Sequence, residues 1–248
     1  AQRYWRGPVL WDFDGVQWTR NPEDSAPRAQ TPGTPIDKTG IAYDVSLEPT
    51  EKKYLPALDW PQTAPTGYYL SQEMTVYSDK PVQKITQYAA QSSPQPVPTG
   101  ELDAITRQRA LAFPPGFNKR TQALAKQWRA EAADDRAYIE RILEWIRADF
   151  SYTLATELPG INAVDDFLFT DKKGFCQHFS SSFALLMRAA GIPSRVVTGY
   201  AGGYKNPYGD YWVLYRKDAH AWNEVWLEDE GWVRVDPTAA VAPERVIA

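Results

Sequence analysis

Gly174-Phe175-Cys176-Gln177-His178-Phe179 opens a helical pattern that carries Phe179, Phe183, Leu186 and Ala190 on one stripe and stops at Gly191-Ile192-Pro193. Cys176, the single cysteine of the chain, falls in the first helical turn, ahead of the apolar stripe. There the free backbone N–H groups and the helix dipole favour an anion, and a thiolate is the anion a cysteine can supply. A cysteine serving only as a small buried hydrophobe would sit as well anywhere along the stripe. Its placement makes Cys176 a candidate nucleophile. A lone thiol also excludes an intramolecular disulfide, a CxxC redox pair and a thiolate-rich zinc site.

A thiol nucleophile needs a base, and the chain offers two histidines, His178 and His220. His178, two residues along the same helix, points away from the cysteine and reads as a packing or supporting residue. His220 opens Asp218-Ala219-His220-Ala221-Trp222-Asn223-Glu224-Val225-Trp226-Leu227, a strand whose alternation puts His220, Trp222, Glu224 and Trp226 on one face. Trp222 and Trp226 then either line a substrate passage or fill the core. Gly231-Trp232-Val233-Arg234-Val235-Asp236-Pro237 reads as the next strand, after Glu228-Asp229-Glu230. If those three acidic residues form the loop of an antiparallel hairpin, Leu227 faces Gly231 and Asp236 faces Trp222. His220 and Asp236 become same-face diagonal neighbours, within reach of an imidazole and a carboxylate. A slip of one residue would turn Asp236 to the opposite face.

Outward from this region, the 248 residues allow one large domain or two small ones at about 150 residues per domain. Hydrophobic residues at 43% and a near balance of 27 basic against 31 acidic side chains exclude a disordered chain and a dedicated nucleic-acid surface. Residues 1–115 are rich in Pro, Trp, Tyr and Thr and alternate over Ile41 to Leu47 and over Tyr68 to Tyr77, which predicts a β-rich N-terminal domain. Thr31-Pro32-Gly33-Thr34-Pro35 and Ser92-Ser93-Pro94-Gln95-Pro96-Val97-Pro98 read as its loops, the first of them mobile. A helix is expected from near Asn118 and a second after Asp134 as N-cap, with Ile139, Ile142, Leu143 and Ile146 on its core face. Residues 116–248 then run helices first and strands after, which predicts an α+β second domain. The segment from Gly199 to Asp210 reads as a loop near the site, since it connects the two motif-bearing segments. No run reaches the roughly 18 apolar residues of a membrane helix. The chain, with no initiator Met and ordinary sequence at both ends, is expected to be a soluble piece of something longer, any membrane anchor lying outside it. No metal or other cofactor is expected from two histidines, one cysteine and no EF-hand-like pattern.

Four ordered blocks carry a resemblance to the transglutaminase-like superfamily: Gly174 to Cys176, Arg188 to Tyr200, Asp218 to Trp226 and Gly231 to Thr238. The N-terminal Trp5-Arg6-Gly7-Pro8-Val9-Leu10-Trp11-Asp12-Phe13-Asp14-Gly15 and the closing stretch from Asp236 to Arg245 resemble, more narrowly, TgpA-type bacterial proteins. The resemblance implies a papain-like core, a helix bearing Cys packed on an antiparallel sheet bearing His and Asp. It also implies a periplasmic location between membrane-spanning segments of an inner-membrane protein. Carried residue by residue, it makes Cys176 the nucleophile, His220 the base and later acid, and Asp236 the group that holds the imidazole. The Cys176 N–H and the Tyr152 hydroxyl are the candidate oxyanion donors. Gln177 stands where many relatives carry Glu, which removes a charge beside the nucleophile and leaves the three groups intact.

The reaction implied is acyl transfer from a protein or peptide glutamine through a thioester to a primary amine, possible partners being cell-envelope components. The same three groups serve a cysteine peptidase, with water resolving the thioester. A non-catalytic scaffold holding cell-envelope partners is the alternative outside enzymes, and it leaves the intact Cys176, His220 and Asp236 without a use.

Overall fold

The computed structural model describes residues 3–28, 40–96, 100–156 and 158–246. The stretch from Thr31 to Pro35, read above as a mobile loop, lies outside the described residues. The strands that organise the chain are β1 (Tyr4–Leu10), β2 (Ile41–Leu47), β3 (Ala57–Leu58) and β4 (Thr86–Ser92). Three helices follow, α1 (Ala104–Leu111), α2 (Lys119–Glu131) and α3 (Asp135–Asp149), then the cysteine-bearing α4 (Cys176–Ala189). The chain closes with β5 (Ser194–Ala201), β6 (Ala219–Leu227), β7 (Gly231–Val235) and the short α5 (Pro237–Val241). This is the α+β order expected, with a β-rich region leading into a helix-then-sheet core.

The central sheet is antiparallel with strand order β7-β6-β5-β1-β3, so its last two strands come from the first 60 residues of the chain. Strand β6, second in that order, is buried on both faces from His220 onward apart from Ala221, and each face buries large apolar side chains. Val225 and Leu227 join Phe179, Phe183, Leu186 and the α3 residues Ile139, Ile142 and Ile146 in one core. Trp222 and Trp226 join Tyr4, Val9, Trp11 and Trp232 in a second. At roughly 1.5–3 kcal/mol for each fully buried large apolar side chain, such a strand has one register that satisfies both layers.

Local signals place the helices. Asp134 caps α3, its side chain accepting the Ala137 N–H at 2.8 Å. Asn118 precedes α2, and Gly191, with φ of +83°, ends the turn after α4. Helix α1 was not expected: Asp103 caps it by accepting from Thr106 N at 2.9 Å, but among its residues only Ala110 is buried, so it carries no apolar stripe.

Two strand expectations are corrected. The run Tyr68 to Tyr77 is a tight hairpin of Tyr69–Leu70 and Val76–Tyr77, not one strand. The Ser71 hydroxyl accepts the N–H groups of Glu73 and Thr75 at 3.3 Å, and Met74 sits at φ +65°, which folds the chain back in the middle of the alternation. The segment from Gly199 to Asp210 is not all loop: Gly199 to Ala201 belong to β5, and Tyr204–Lys205 pairs with Trp212–Val213. Among the described residues no helix is long and apolar enough to cross a membrane.

Candidate functional site

Cys176 is the first residue of α4 and is half-buried. The approach to it is fixed from behind by a short parallel pairing of Lys173–Gly174 with Ser151–Tyr152. His178 does not face the thiol. Its Nδ1 accepts the Phe175 N–H at 3.4 Å, and its ring meets that of Phe175 edge-on with centroids 4.5 Å apart. Burial lowers its pKa, with Asp171 and the Phe175 hydrogen bond opposing. These contacts close the turn that starts the helix. Gln177 is exposed.

Helix and sheet are tied together one turn further on. The Ser180 hydroxyl donates to Ala221 O at 2.8 Å, and the Asn223 amide donates to Ser180 O at 2.9 Å. These two bonds set α4 against the start of β6, beside His220. Neither residue was singled out from the sequence, where Ser180 is one of three consecutive serines and Asn223 stands beside Glu224.

The hairpin has the register expected, Leu227 opposite Gly231 and Asn223 opposite Val235. Asp236, one residue past β7, caps α5 by accepting Thr238 N through Oδ1 at 2.9 Å. Its Oδ2 lies 2.7 Å from His220 Nε2. With Nε2 committed to the carboxylate, Nδ1 is the nitrogen left for Cys176. Burial pulls the His220 pKa down, but hydrogen bonding to Asp236 and Cys176 and the electrostatic attraction of both outweigh it and raise the pKa to about 9. The imidazole therefore carries its proton through neutral pH.

Trp222 is fully buried; its ring stacks on His220 at 6.2 Å and meets Tyr4 edge-on at 5.1 Å. It backs the imidazole and lines no open passage. Tyr152 sits two residues from the start of α4 through its pairing with Gly174. Its phenol pKa is raised by burial and, more weakly, by Cys176, while Arg245, 5.3 Å over its ring, opposes. Tyr152 is thus in the electrostatic neighbourhood of the thiol. A cleft of about 180 Å³ lies at the Ala201 end of β5, lined by Gly202, Gly203, Tyr204, Tyr215, Glu244 and Arg245. Among the described residues no group of three or more His, Cys, Asp or Glu side chains is placed to hold a metal ion. The arrangement can supply a nucleophile, a charged proton donor and an orienting carboxylate.

The chain is similar to known proteins. Residues 122–237 match the transglutaminase-like superfamily core and residues 1–99 the TgpA N-terminal domain. A protein-glutamine gamma-glutamyltransferase of Pseudomonas aeruginosa is 39% identical over 248 residues, which cover 99% of this chain and 36% of that protein. The chain thus spans about a third of the length of that curated relative. The uncharacterised protein YebA of Bacillus subtilis is 46% identical over 79 residues, 30% of this chain and 11% of that protein. The crystal structure of the periplasmic domain of TgpA from Pseudomonas aeruginosa bound to ethylmercury superposes with a TM-score of 0.90 at 39% identity, covering 100% of this chain and 87% of that one.

Proposed function

From the premise that this chain belongs to the transglutaminase-like superfamily and is of the TgpA type, we propose that it is a cysteine acyltransferase acting on glutamine side chains. The observation that carries this reading is the His220–Asp236 pair, 2.7 Å apart, with an imidazole raised to about 9 by that carboxylate and by Cys176. In the proposed first step the Cys176 thiolate attacks the γ-carboxamide carbon. The carbonyl becomes an oxyanion facing the Cys176 N–H and the Tyr152 hydroxyl. As the oxyanion collapses, the C–N bond breaks and His220 gives its proton to the departing ammonia, leaving a thioester and a neutral imidazole. In the second step an entering primary amine loses a proton to that imidazole and attacks the thioester. The thiolate leaves, an isopeptide or secondary amide remains, and His220 is again the cation. Asp236 balances the imidazolium charge and keeps the ring turned toward sulfur.

The donors and acceptors proposed are protein or peptide glutamines and primary amines of the cell envelope, in the periplasm, with the domain held at the inner membrane by segments outside this chain. A glutamine peptide incubated with a labelled primary amine tests the reading. We expect the label to be incorporated with loss of ammonia and an uncut backbone, and Cys176→Ala to abolish incorporation while keeping the fold, since Ala suits a helix. Cleaved peptide without incorporated amine, dependent on Cys176, would make the protein a peptidase; activity retained in Cys176→Ala would remove the mechanism.

A further inference from the structure

We propose that Tyr4, from the first strand of the chain, is a positioning residue for this site: its hydroxyl holds the carboxylate that holds the imidazole. The inference rests on the functional reading above for its kinetic consequence, and on geometry alone for its structural one. Tyr4 Oη donates to Asp236 Oδ2 at 2.8 Å, across 232 residues of sequence. The same oxygen meets His220 Nε2 at 2.7 Å, while Oδ1 accepts from Thr238 N at 2.9 Å. Thr238 and His220 hold one oxygen each, and a third donor on Oδ2, arriving from a different strand, adds a bond that any turn about Cβ–Cγ would have to break.

Tyr4 is itself held from every side. It is 2% exposed, and its backbone pairs with Ala201 of β5 and accepts the Asp59 N–H at 2.9 Å. Its ring meets Trp222 edge-on at 5.1 Å, and the Arg234 guanidinium lies 4.1 Å over it, pinned in turn to Asp59 Oδ2 at 2.9 Å. Burial, then the nearby Asp236, raise the phenol pKa well above its ordinary value against the opposing Arg234, so the hydroxyl is a donor at every working pH. The groups that set the His220 titration are thus Cys176 from α4, Asp236 after β7 and, through Asp236, Tyr4 from β1 with Arg234 and Asp59 around it. By donating to Oδ2, Tyr4 draws off part of the negative charge that Asp236 presents to the imidazolium. Without that bond more of the charge falls on His220, and its proton is lost at higher pH.

Tyr4→Phe keeps the ring and its packing and removes only the hydroxyl. Tyr88→Phe is the matched control, a buried tyrosine whose hydroxyl donates to Pro56 O in a separate cluster of Leu55, Val76 and Val82. With only two histidines in the chain, nitrogen-15 histidine spectra follow His220 directly. In Tyr4→Phe we expect the His220 titration to move to higher pH and its Nε2–H resonance to shift, with the Tyr88→Phe spectra matching wild type. We also expect kcat for glutamine transfer to fall about tenfold with KM retained, the size of one lost bond to a charged group. An unchanged or lowered His220 titration in folded Tyr4→Phe would overturn the proposal. A raised titration in a protein that transfers no acyl group would uphold the positioning and sink the functional reading instead.

Discussion

Protonation of one imidazole governs how the site answers to pH. His220 has its pKa raised from 6.5 to about 9, so the stability gained from its ionised contact is fully present below 6.5 and is lost as pH rises through about 9. The corresponding linkage is about 3 kcal/mol. Asp236→Asn removes the charge that sustains it. Its amide can still cap α5, yet it favours the wrong tautomer and cannot balance the imidazolium. We expect the unfolding free energy of wild type to exceed that of Asp236→Asn below pH 6.5 and the gap to close above pH 9. Acyl transfer should fall by about a hundredfold or more in the variant. A rate within a few-fold of wild type would reduce Asp236 to a helix cap.

At the scale of elements, the contact that brings the first strand to the site is a close approach of backbones. Gly199 of β5 lies opposite His220 of β6 on one side and Arg6 of β1 on the other. A Cβ added there would fall 2.0 Å from Trp5 O and 3.1 Å from the Trp222 ring. The first is backbone and cannot swing aside, so Gly199→Ala must spread β1 from β5 at the position that delivers Tyr4. We expect a loss of about 3 kcal/mol in chemical unfolding. An unchanged midpoint would mean that the strands separate freely. The elements legible in the sequence were those with local punctuation: Asp134 before α3, the stop at Gly191 after α4, and the acidic turn between β6 and β7. Helix α1, with one buried residue, had no periodicity to read, and the alternation over Tyr68 to Tyr77 runs straight through the Ser71 turn, which side-chain-to-backbone bonds make.

Across the whole molecule, the early strands and the late ones share a layer of buried charge. Arg6 of β1 reaches Glu224 of β6 through both terminal nitrogens, at 2.5 and 3.0 Å, and Asp59 at 3.1 Å; Arg195 of β5 meets Glu224 at 2.7 Å. Glu73 enters the same region from the hairpin at Val76, accepting from Trp11 Nε1 through Oε1, while Oε2 has no hydrogen-bond partner among the described residues. Burial raises its pKa from 4.5 to about 7, against the Trp11 bond and Arg195. The stability tied to this proton is present in full below 4.5 and lost as pH rises through about 7. Glu73→Gln keeps an oxygen for Trp11 and has no charge to bury. Relative to wild type, it should gain about 3 kcal/mol between pH 4.5 and pH 8 in unfolding measurements. A difference that does not change with pH would mean that Glu73 ionises without cost.

What the sequence by itself determined is confined to contacts that close within a short span of chain. The start of α4 at Cys176, the strand of His220 and the register that sets Asp236 beside it follow from a helix stop, an alternation and a three-residue turn, all read within 16 residues of one another or along one helix. The partner of Asp236 that arrives across 232 residues followed from nothing local. Strand β1 carries Gly7 and Pro8 where its pairing with β5 shifts register, and a tyrosine near one end of a strand looks the same whether its hydroxyl meets water or a carboxylate. Only the folded sheet, by pairing β1 with β5 and β5 with β6, decided that Tyr4 is buried on Asp236 and that Arg6 and Glu224 neutralise one another, because the energy of such contacts depends on desolvation and on neighbours that the chain supplies from its opposite end.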